Sequence, residues 1–326
     1  MRKIAAPLNR EVPVLGFGCA SLGSRISALD GARAIAHALD LGLSWFDVAP
    51  PYGDGHAEGL LGQALRGNRT KVVICTKFGI APPEVPLAAR LVRPLARKVV
   101  SALPRLRAAA ARARPLGTRL PIEPKAIEAS VIRSLRQLCT DYIDVLAVHE
   151  PGLDDAANSE IFDVLRSLIE RGLIRAVSVA GTVESLETVA RVRQPIDFAQ
   201  FPDTPFSNAA AYLRAAFPTP RPIFVTHGIF GSSVAQRLAE ANAAQRARLN
   251  AIAESHGFEL TAWPYDLLLR FAFSNNPDGI VLMSMFDPKH IEANVAAARL
   301  PPAPGLANEI RAALALPVST GRQLAR

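Results

Sequence analysis

A chain of 326 residues with 49% hydrophobic content has ample material for a large buried core, and no apolar run approaches the roughly 18 residues a membrane span needs. Its net charge of +8 suggests an anionic partner, but the surplus is local: between Ile80 and Lys125 stand ten Lys or Arg against Glu84 and Glu123, and the remainder is neutral. No aromatics interleave with those cations, so no nucleic-acid partner is expected.

The three cysteines, Cys19, Cys75 and Cys139, are odd in number and far apart. They suggest neither a disulfide framework nor a metal site, and read as small buried residues in a reducing compartment. Met1-Arg-Lys-Ile-Ala-Ala-Pro breaks before a signal-like apolar core forms. A soluble, cytoplasmic protein without a metal is the expectation.

In chain order, Val12-Pro-Val-Leu-Gly16-Phe-Gly18-Cys-Ala-Ser-Leu-Gly23 reads as a short strand with closely spaced glycines. Asp30 to Leu41 has helical spacing and ends at Gly42. Leu43 to Val48 has strand character and delivers Asp47 near its end. Pro50-Pro-Tyr52-Gly-Asp-Gly55 is punctuated too densely for a regular element, and His56 to Leu65 is helical. Lys71 to Gly79 is an apolar strand closed by Lys77. A helix over Pro124–Leu138 precedes a strand from Tyr142 closed by His149. Helices from Ser159 to Arg171 and Val183 to Arg193 flank a strand at Ile174–Ala180. A strand at Phe198–Phe201, a helix near Asn208–Ala215 and a strand at Pro222–His227 follow. A longer helical region reaches Ser274, Gly279 to Ser284 is the last strand, and Pro288–Arg299 is the last helix.

Apolar strands alternating with amphipathic helices eight times over predict an α/β fold, a (β/α)8 TIM barrel. An open doubly wound sheet is the alternative, weakened because no Gly-x-Gly-x-x-Gly follows a strand. The barrel is taken as one domain over residues 1–326, with an insertion at about 80–121 after the third strand.

In a barrel, strand ends converge on one mouth. Asp47 and Lys77 are one barrel unit apart, and His149 follows after a second unit plus the basic insertion. Singly, each has a bland reading: a turn-capping Asp, a solvated Lys, a satisfied structural His. Jointly with Tyr52 they suit proton donation to a carbonyl. A phenol, with pKa of about 10, is a poor acid at neutral pH, and an adjacent ammonium would lower it by roughly one to three units. Lys77 would do this, Asp47 would hold Lys77, and His149 would orient the carbonyl. The hydride must come from a cofactor.

Phe46-Asp47-x4-Tyr52-Gly-x-Gly-x-x-Glu58-x3-Gly62, Thr76-Lys77, Ser134-Leu-x-x-Leu138-x-Thr140-Asp141-Tyr142-Ile-Asp144-x4-His149 and Gly172-Leu-Ile-Arg175-Ala resemble the aldo-keto reductases. The resemblance covers most of the chain. It implies a (β/α)8 barrel, an extended nicotinamide dinucleotide across its mouth, and interconversion of an aldehyde or ketone with an alcohol. It assigns Tyr52 as proton donor, with Asp47, Lys77 and His149 completing a tetrad. It places Gly18, Asp47, Gln200, Ser284, Lys289, His290 and Asn294 at the cofactor, and Trp45, Phe78, His149 and His227 beside a small-molecule carbonyl or alcohol substrate.

The departures bear on the cofactor. A Ser-Asn pair usual after the fifth strand is Ala180-Gly181, and a stacking Tyr is absent from Val225-Thr-His227-Gly. A Lys-Ser pair and an Arg that grip a 2′-phosphate are replaced by Ser284-Met285 and His290, with Lys289 as the nearest cation. NADP(H) is expected from the family tendency, and NAD(H) is the alternative. A sugar or aldose dehydrogenase working oxidatively, or a non-catalytic cofactor-sensing barrel, are the alternative functions. The basic insertion resembles an amphipathic helix interrupted by Pro94 and Pro104; it reads as a solvated excursion, a lid, a collar for an anionic substrate, an oligomer contact, or a surface lying on acidic lipid.

Overall fold

The computed structural model of the chain describes residues 1–83, 118–120 and 122–315. The expected amphipathic helix around Arg90–Val100 lies outside the described residues. The chain opens with an antiparallel hairpin, β1 (Lys3–Ala6) and β2 (Arg10–Pro13), with Lys3 opposite Pro13. These short strands carry little alternation, and the sequence signals did not reveal them.

The next eight strands form the barrel: β3 (Leu15–Gly18), β4 (Trp45–Asp47), β5 (Val73–Phe78), β6 (Ile143–His149), β7 (Ile174–Ala180), β8 (Phe198–Pro202), β9 (Ile223–His227) and β10 (Ile280–Met283). All pair in parallel and in chain order, and β10 closes onto β3 through Val281 opposite Leu15. The expected (β/α)8 architecture is therefore the observed one, and closure removes the edges an open sheet would have.

Helices α1 (Ala28–Asp40), α2 (Ala57–Ala64), α3 (Pro124–Leu138), α4 (Leu153–Ala157), α5 (Ser159–Glu170), α6 (Val183–Val192) and α7 (Ala209–Ala216) fill the connections between β3 and β9. Their ends obey local rules. Ser27 caps α1 by accepting from the Asp30 amide while its hydroxyl donates to Asp30 Oδ2 at 2.7 Å, and Pro124 sits in the first turn of α3, where no intrahelical N–H is lost. The longer helical region expected before β10 consists of three helices: α8 (Ser232–Ala239), α9 (Ala243–Ser255) and α10 (Tyr265–Asn275). Asn242 and Gln245 cap α9 reciprocally, and Pro264 immediately precedes α10. Past β10 run α11 (Pro288–Arg299) and α12 (Leu306–Ala315), the latter not anticipated.

Two apolar clusters separate the faces of the barrel wall. Phe46, Ile74, Phe78, Val148 and Val177 pack outward against the helices, whereas Trp45, Val73, Cys75, Val145, Ala147, Phe198 and Ile280 fill the interior. Side chains alternate in and out along each strand, so Lys77 must face inward if Phe78 faces outward. Leu8 and Val12, from the turn and second strand of the hairpin, join the interior cluster and close the lower end. Low on the outer wall, the fully buried Asp144 accepts from the Ile74 amide at 2.9 Å and from Arg69 at 2.7 Å, and the Tyr142 ring is sandwiched between the Arg69 and Arg175 guanidinium groups at 3.9 and 3.7 Å.

Gly62 lets α2 approach α3 closely: a Cβ there would lie 2.5 Å from the Leu138 carbonyl oxygen. Nearby, the buried Glu58 accepts from the Thr76 hydroxyl at 2.7 Å, tying α2 to β5 one residue before Lys77. Among the described residues, no helix is long and apolar enough to cross a membrane. Cys19 and Cys75 are buried as expected, but Cys139 is exposed, because it ends α3 in the left-handed conformation at φ 52°.

Candidate active site

Asp47 ends β4, Lys77 lies near the end of β5 and His149 ends β6, and all three belong to the inward-facing set of their strands. Tyr52 follows β4 in a single 3-10 turn, Tyr52–Gly55, where the sequence predicted no regular element. The turn cannot propagate because Gly53 and Asp54 adopt φ of 61° and 59°.

The four side chains meet. Lys77 Nζ donates to Asp47 Oδ1 at 2.6 Å and to the Val48 carbonyl at 3.2 Å, with the ammonium only 1% exposed. The same nitrogen lies 4.9 Å from the Tyr52 ring centre, and the His149 ring stands edge-on to Tyr52 with centroids 6.1 Å apart. Tyr52, Lys77 and His149 line a cavity of about 360 Å3, whose wall also includes Ala180, Gly181, Gln200 and His227; Asp47 lies behind Lys77.

Burial and charge set the protonation of this cluster. Burial alone would push the Lys77 ammonium down, but Asp47, with Tyr52 adding, raises its pKa above the usual value, so the cation persists. Burial drives His149 down to about 3, and Lys77, His227 and Arg119 act in the same direction. Burial likewise lowers His227 to about 4. Both imidazoles are therefore neutral at physiological pH, each with one N–H donor and one acceptor.

Tyr52 departs from the expectation. Its pKa is raised, because burial of the phenolate outweighs the neighbouring Lys77 charge and its hydrogen bond to the phenol. The ammonium limits the rise but does not reverse it.

Trp45 and Phe78, expected beside the substrate, do not line the cavity. Trp45 faces inward below Asp47, completely buried, its ring 5.2 Å from Phe198 in the barrel core. Phe78 faces the helices because it follows the inward Lys77 by one residue on a pleated strand. His227 lines the cavity. Glu150, Thr182 and Glu184 also line it and were not singled out; only their positions just past the ends of β6 and β7 could have marked them.

Among the described residues, three buried atoms have no hydrogen-bond partner: Gln200 Oε1 and His149 Nδ1, on residues that line the cavity, and Asp47 Oδ2, beside the lining Lys77. Two acceptors and an imidazole nitrogen are a fitting set for the hydroxyl and amide donors of a nicotinamide riboside. The Ala180-Gly181 substitution has a steric reason: a Cβ on Gly181 would lie 2.5 Å from Ser185 Oγ, whose hydroxyl donates to the Thr182 carbonyl at 3.0 Å.

On the far side of the mouth, the exposed Ser284 donates to the Gly18 carbonyl at 3.0 Å. Lys289 and His290 are exposed in the first turn of α11, and His290 packs at 5.8 Å from Tyr265. Asn294 is buried: its Oδ1 accepts from the Tyr265 hydroxyl at 2.5 Å and its amide contacts Met285 Sδ at 3.2 Å. Tyr265 also stacks on Phe230 at 4.7 Å. No periodicity or motif in the sequence points to that pairing.

The sequence pattern of the Aldo/keto reductase family matches residues 14–313. The chain is 30% identical over 200 residues to a D-threo-aldose 1-dehydrogenase of a Pseudomonas species, covering 57% of this chain and 55% of that protein. It spans about half the length of the curated relatives it matches. Among solved structures, an aldo-keto reductase of Bacillus halodurans in its holo form superposes with a TM-score of 0.67 at 20% identity, covering 96% of this chain and 95% of that one. An aldo/keto reductase of Klebsiella pneumoniae in complex with NADP and acetate gives 0.65 at 19%, with 96% and 95% covered. These structures share the fold, and the family match runs from β3 through most of α12: the chain belongs to the aldo/keto reductase family.

Proposed function

We propose that the chain is a nicotinamide-dependent oxidoreductase interconverting an aldehyde or ketone with an alcohol, with Tyr52 as the proton donor. The observation that carries the reading is the buried ammonium of Lys77, 2.6 Å from Asp47 and 4.9 Å from the Tyr52 ring, on the wall of a cavity shared with the neutral His149. The cofactor, when bound, supplies the hydride. Everything else falls to the chain's own groups.

A carbonyl oxygen between Tyr52 and His149 accepts from the phenol and from an imidazole N–H. As negative charge develops on that oxygen, the phenolic proton moves to it, and Lys77 stabilises the phenolate left behind. Asp47 keeps Lys77 charged throughout. In the oxidative direction the Tyr52 phenolate, stabilised by Lys77, takes the alcohol's proton.

Gln200 Oε1 and Asp47 Oδ2 are assigned to the nicotinamide carboxamide and ribose, and Gly18, Ser284, Lys289, His290 and Asn294 to the remainder of the dinucleotide. The NADP complex of the Klebsiella pneumoniae relative supports NADP(H) as the preferred cofactor. The aldose 1-dehydrogenase name of the Pseudomonas relative supports a sugar among the substrates. The free, buried Cys19 and Cys75 support a cytoplasmic site of action.

The experiment is a fluorescence titration with NADPH and with NADH, followed by turnover of short aldehydes by the unmodified protein and by Tyr52→Phe. Binding of a reduced cofactor, turnover, and loss of turnover with retained binding in Tyr52→Phe support the reading. Binding of neither cofactor sinks it.

A further inference from the structure

The root of the basic segment is anchored beside His149. Ile80 pairs with Arg119 in an antiparallel bridge, the Ala81 amide donates to the Thr118 carbonyl at 2.8 Å, and the Leu120 amide donates to the Gly79 carbonyl at 2.9 Å. However long the excursion between them, its two ends are clasped directly above β5.

That clasp meets β6 at its last residue. Gly79, at φ 109°, passes so close that a Cβ would lie 3.2 Å from the His149 carbonyl oxygen. The next residue, Glu150, is a non-glycine at φ 47°, and its amide donates to the Ala180 carbonyl at 2.6 Å. This backbone conformation is uncommon for a side-chain-bearing residue and turns Glu150 onto the cavity wall. There Arg119, from the returning arm of the clasp, donates to Glu150 Oε2 at 3.2 Å.

We infer that Glu150, held by Arg119, is a specificity-determining residue: its carboxylate accepts hydroxyl groups that a carbonyl substrate carries away from the reacting carbon. This rests on the oxidoreductase reading above and deepens it.

Three observations support the assignment. Glu150 directly follows His149, so a substrate whose carbonyl reaches His149 passes this carboxylate within one residue's span. Arg119 engages Oε2, and among the described residues no donor engages Oε1, which can accept from a ligand. Thr182 and Glu184, exposed beside Val183 and Pro202, bring further oxygen acceptors to the same wall. Among the described lining residues, a hydroxylated substrate therefore finds several acceptors besides Glu150. Arg119 does not itself line the cavity; it contacts Glu150 from behind and acts as its positioning residue.

The pair is exposed, 64% and 52% at the side chains, so its loss costs the fold little and the variants remain folded. The test compares glyceraldehyde with propanal, which share a carbon skeleton and differ in hydroxyl groups. The quantity read is the ratio of their kcat/KM values in unmodified protein, Glu150→Gln, Glu150→Ala and Arg119→Ala. The expected result is a preference for glyceraldehyde that falls about fivefold or more in Glu150→Ala, less in Glu150→Gln, which keeps an acceptor, and partially in Arg119→Ala, chiefly through KM. All Glu150 variants share the same backbone conformation, so the Gln–Ala difference isolates the side chain. Equal ratios in all four proteins overturn the assignment while leaving the oxidoreductase reading intact. Turnover of neither aldehyde by the unmodified protein, with either cofactor, overturns both.

Discussion

Lys77 and Asp47 form an ion pair at 2.6 Å, 1% and 5% exposed, inside a barrel whose neighbouring interior positions are apolar. Two charges are taken out of water there, and each is tolerable only because the other is present. Removing one partner of a buried pair costs about 3 to 5 kcal/mol, because the survivor stays buried and uncompensated. Lys77→Met and Asp47→Asn should each lower the unfolding midpoint in urea. The double variant should recover much of that loss while remaining inactive, so stability and turnover part company.

Tyr52→Phe removes the transferable proton and leaves the ring contacts with Lys77 and His149 in place. Turnover should fall by about 100- to 10,000-fold, the usual range for a positioned acid, while cofactor affinity measured by fluorescence stays within a factor of about three. A variant that kept a tenth of the activity would place the proton donor elsewhere.

His149 and His227 have folded pKa values depressed to about 3 and about 4, against 6.5 for an unconstrained side chain. Between those values and pH 6.5 the unfolded chain binds protons that the folded chain refuses. Their contribution to stability is complete above pH 6.5 and is lost progressively as pH falls toward 4. Glu58, Asp197 and Asp203, raised by burial, work in the opposite sense over the acidic range. The measurement is therefore a difference: the drop in melting temperature from pH 7 to pH 4.5 should be smaller in His149→Asn/His227→Asn than in the unmodified protein.

At the far side of the mouth, the candidate grip on a 2′-phosphate consists of an exposed lysine, a histidine and a serine hydroxyl already donating to Gly18. Surface charges of this kind contribute up to about 1 kcal/mol, roughly a fivefold change in affinity. NADPH should bind more tightly than NADH by a margin below about tenfold, and Lys289→Ala should erase most of it without changing NADH affinity. Raising ionic strength should narrow the same margin.

Trp45 was expected to contact substrate and instead packs against Phe198 in the barrel core. Trp45→Ala should destabilise the fold by about 3 to 5 kcal/mol, as for other large core truncations. Whatever folded protein remains should keep the KM of the parent, a result that a substrate-contacting tryptophan could not give.

The barrel and the tetrad positions were legible because both follow from short-range rules: alternation of apolar strands with helices, and the convergence of strand ends in a closed parallel sheet. Trp45 and Phe78 were misplaced although the alternation rule was available. Counting in twos from Lys77 sends Phe78 outward, and counting back from Asp47 sends Trp45 inward but one layer too deep. Several residues of the recognisable sequence pattern, Glu58, Tyr142, Asp144 and Arg175 among them, serve the wall of the barrel rather than its mouth. The Tyr52 pKa was misjudged because the charge beside a group can be inferred from topology, whereas its desolvation depends on atoms that only the folded chain brings together. Glu150, Tyr265 and the clasp at Arg119 depend on contacts across about 30 to 40 residues, for which local patterns carry no signal.

The N-terminal hairpin sends Leu8 and Val12 into the same interior cluster as Trp45, Val145 and Ile280. Among the described residues, the barrel is thus a vessel stoppered below, with a cavity above walled by Lys77, Tyr52 and His149. Two ligands that share this volume must divide about 360 Å3 between them, so the size of the one sets the room left for the other.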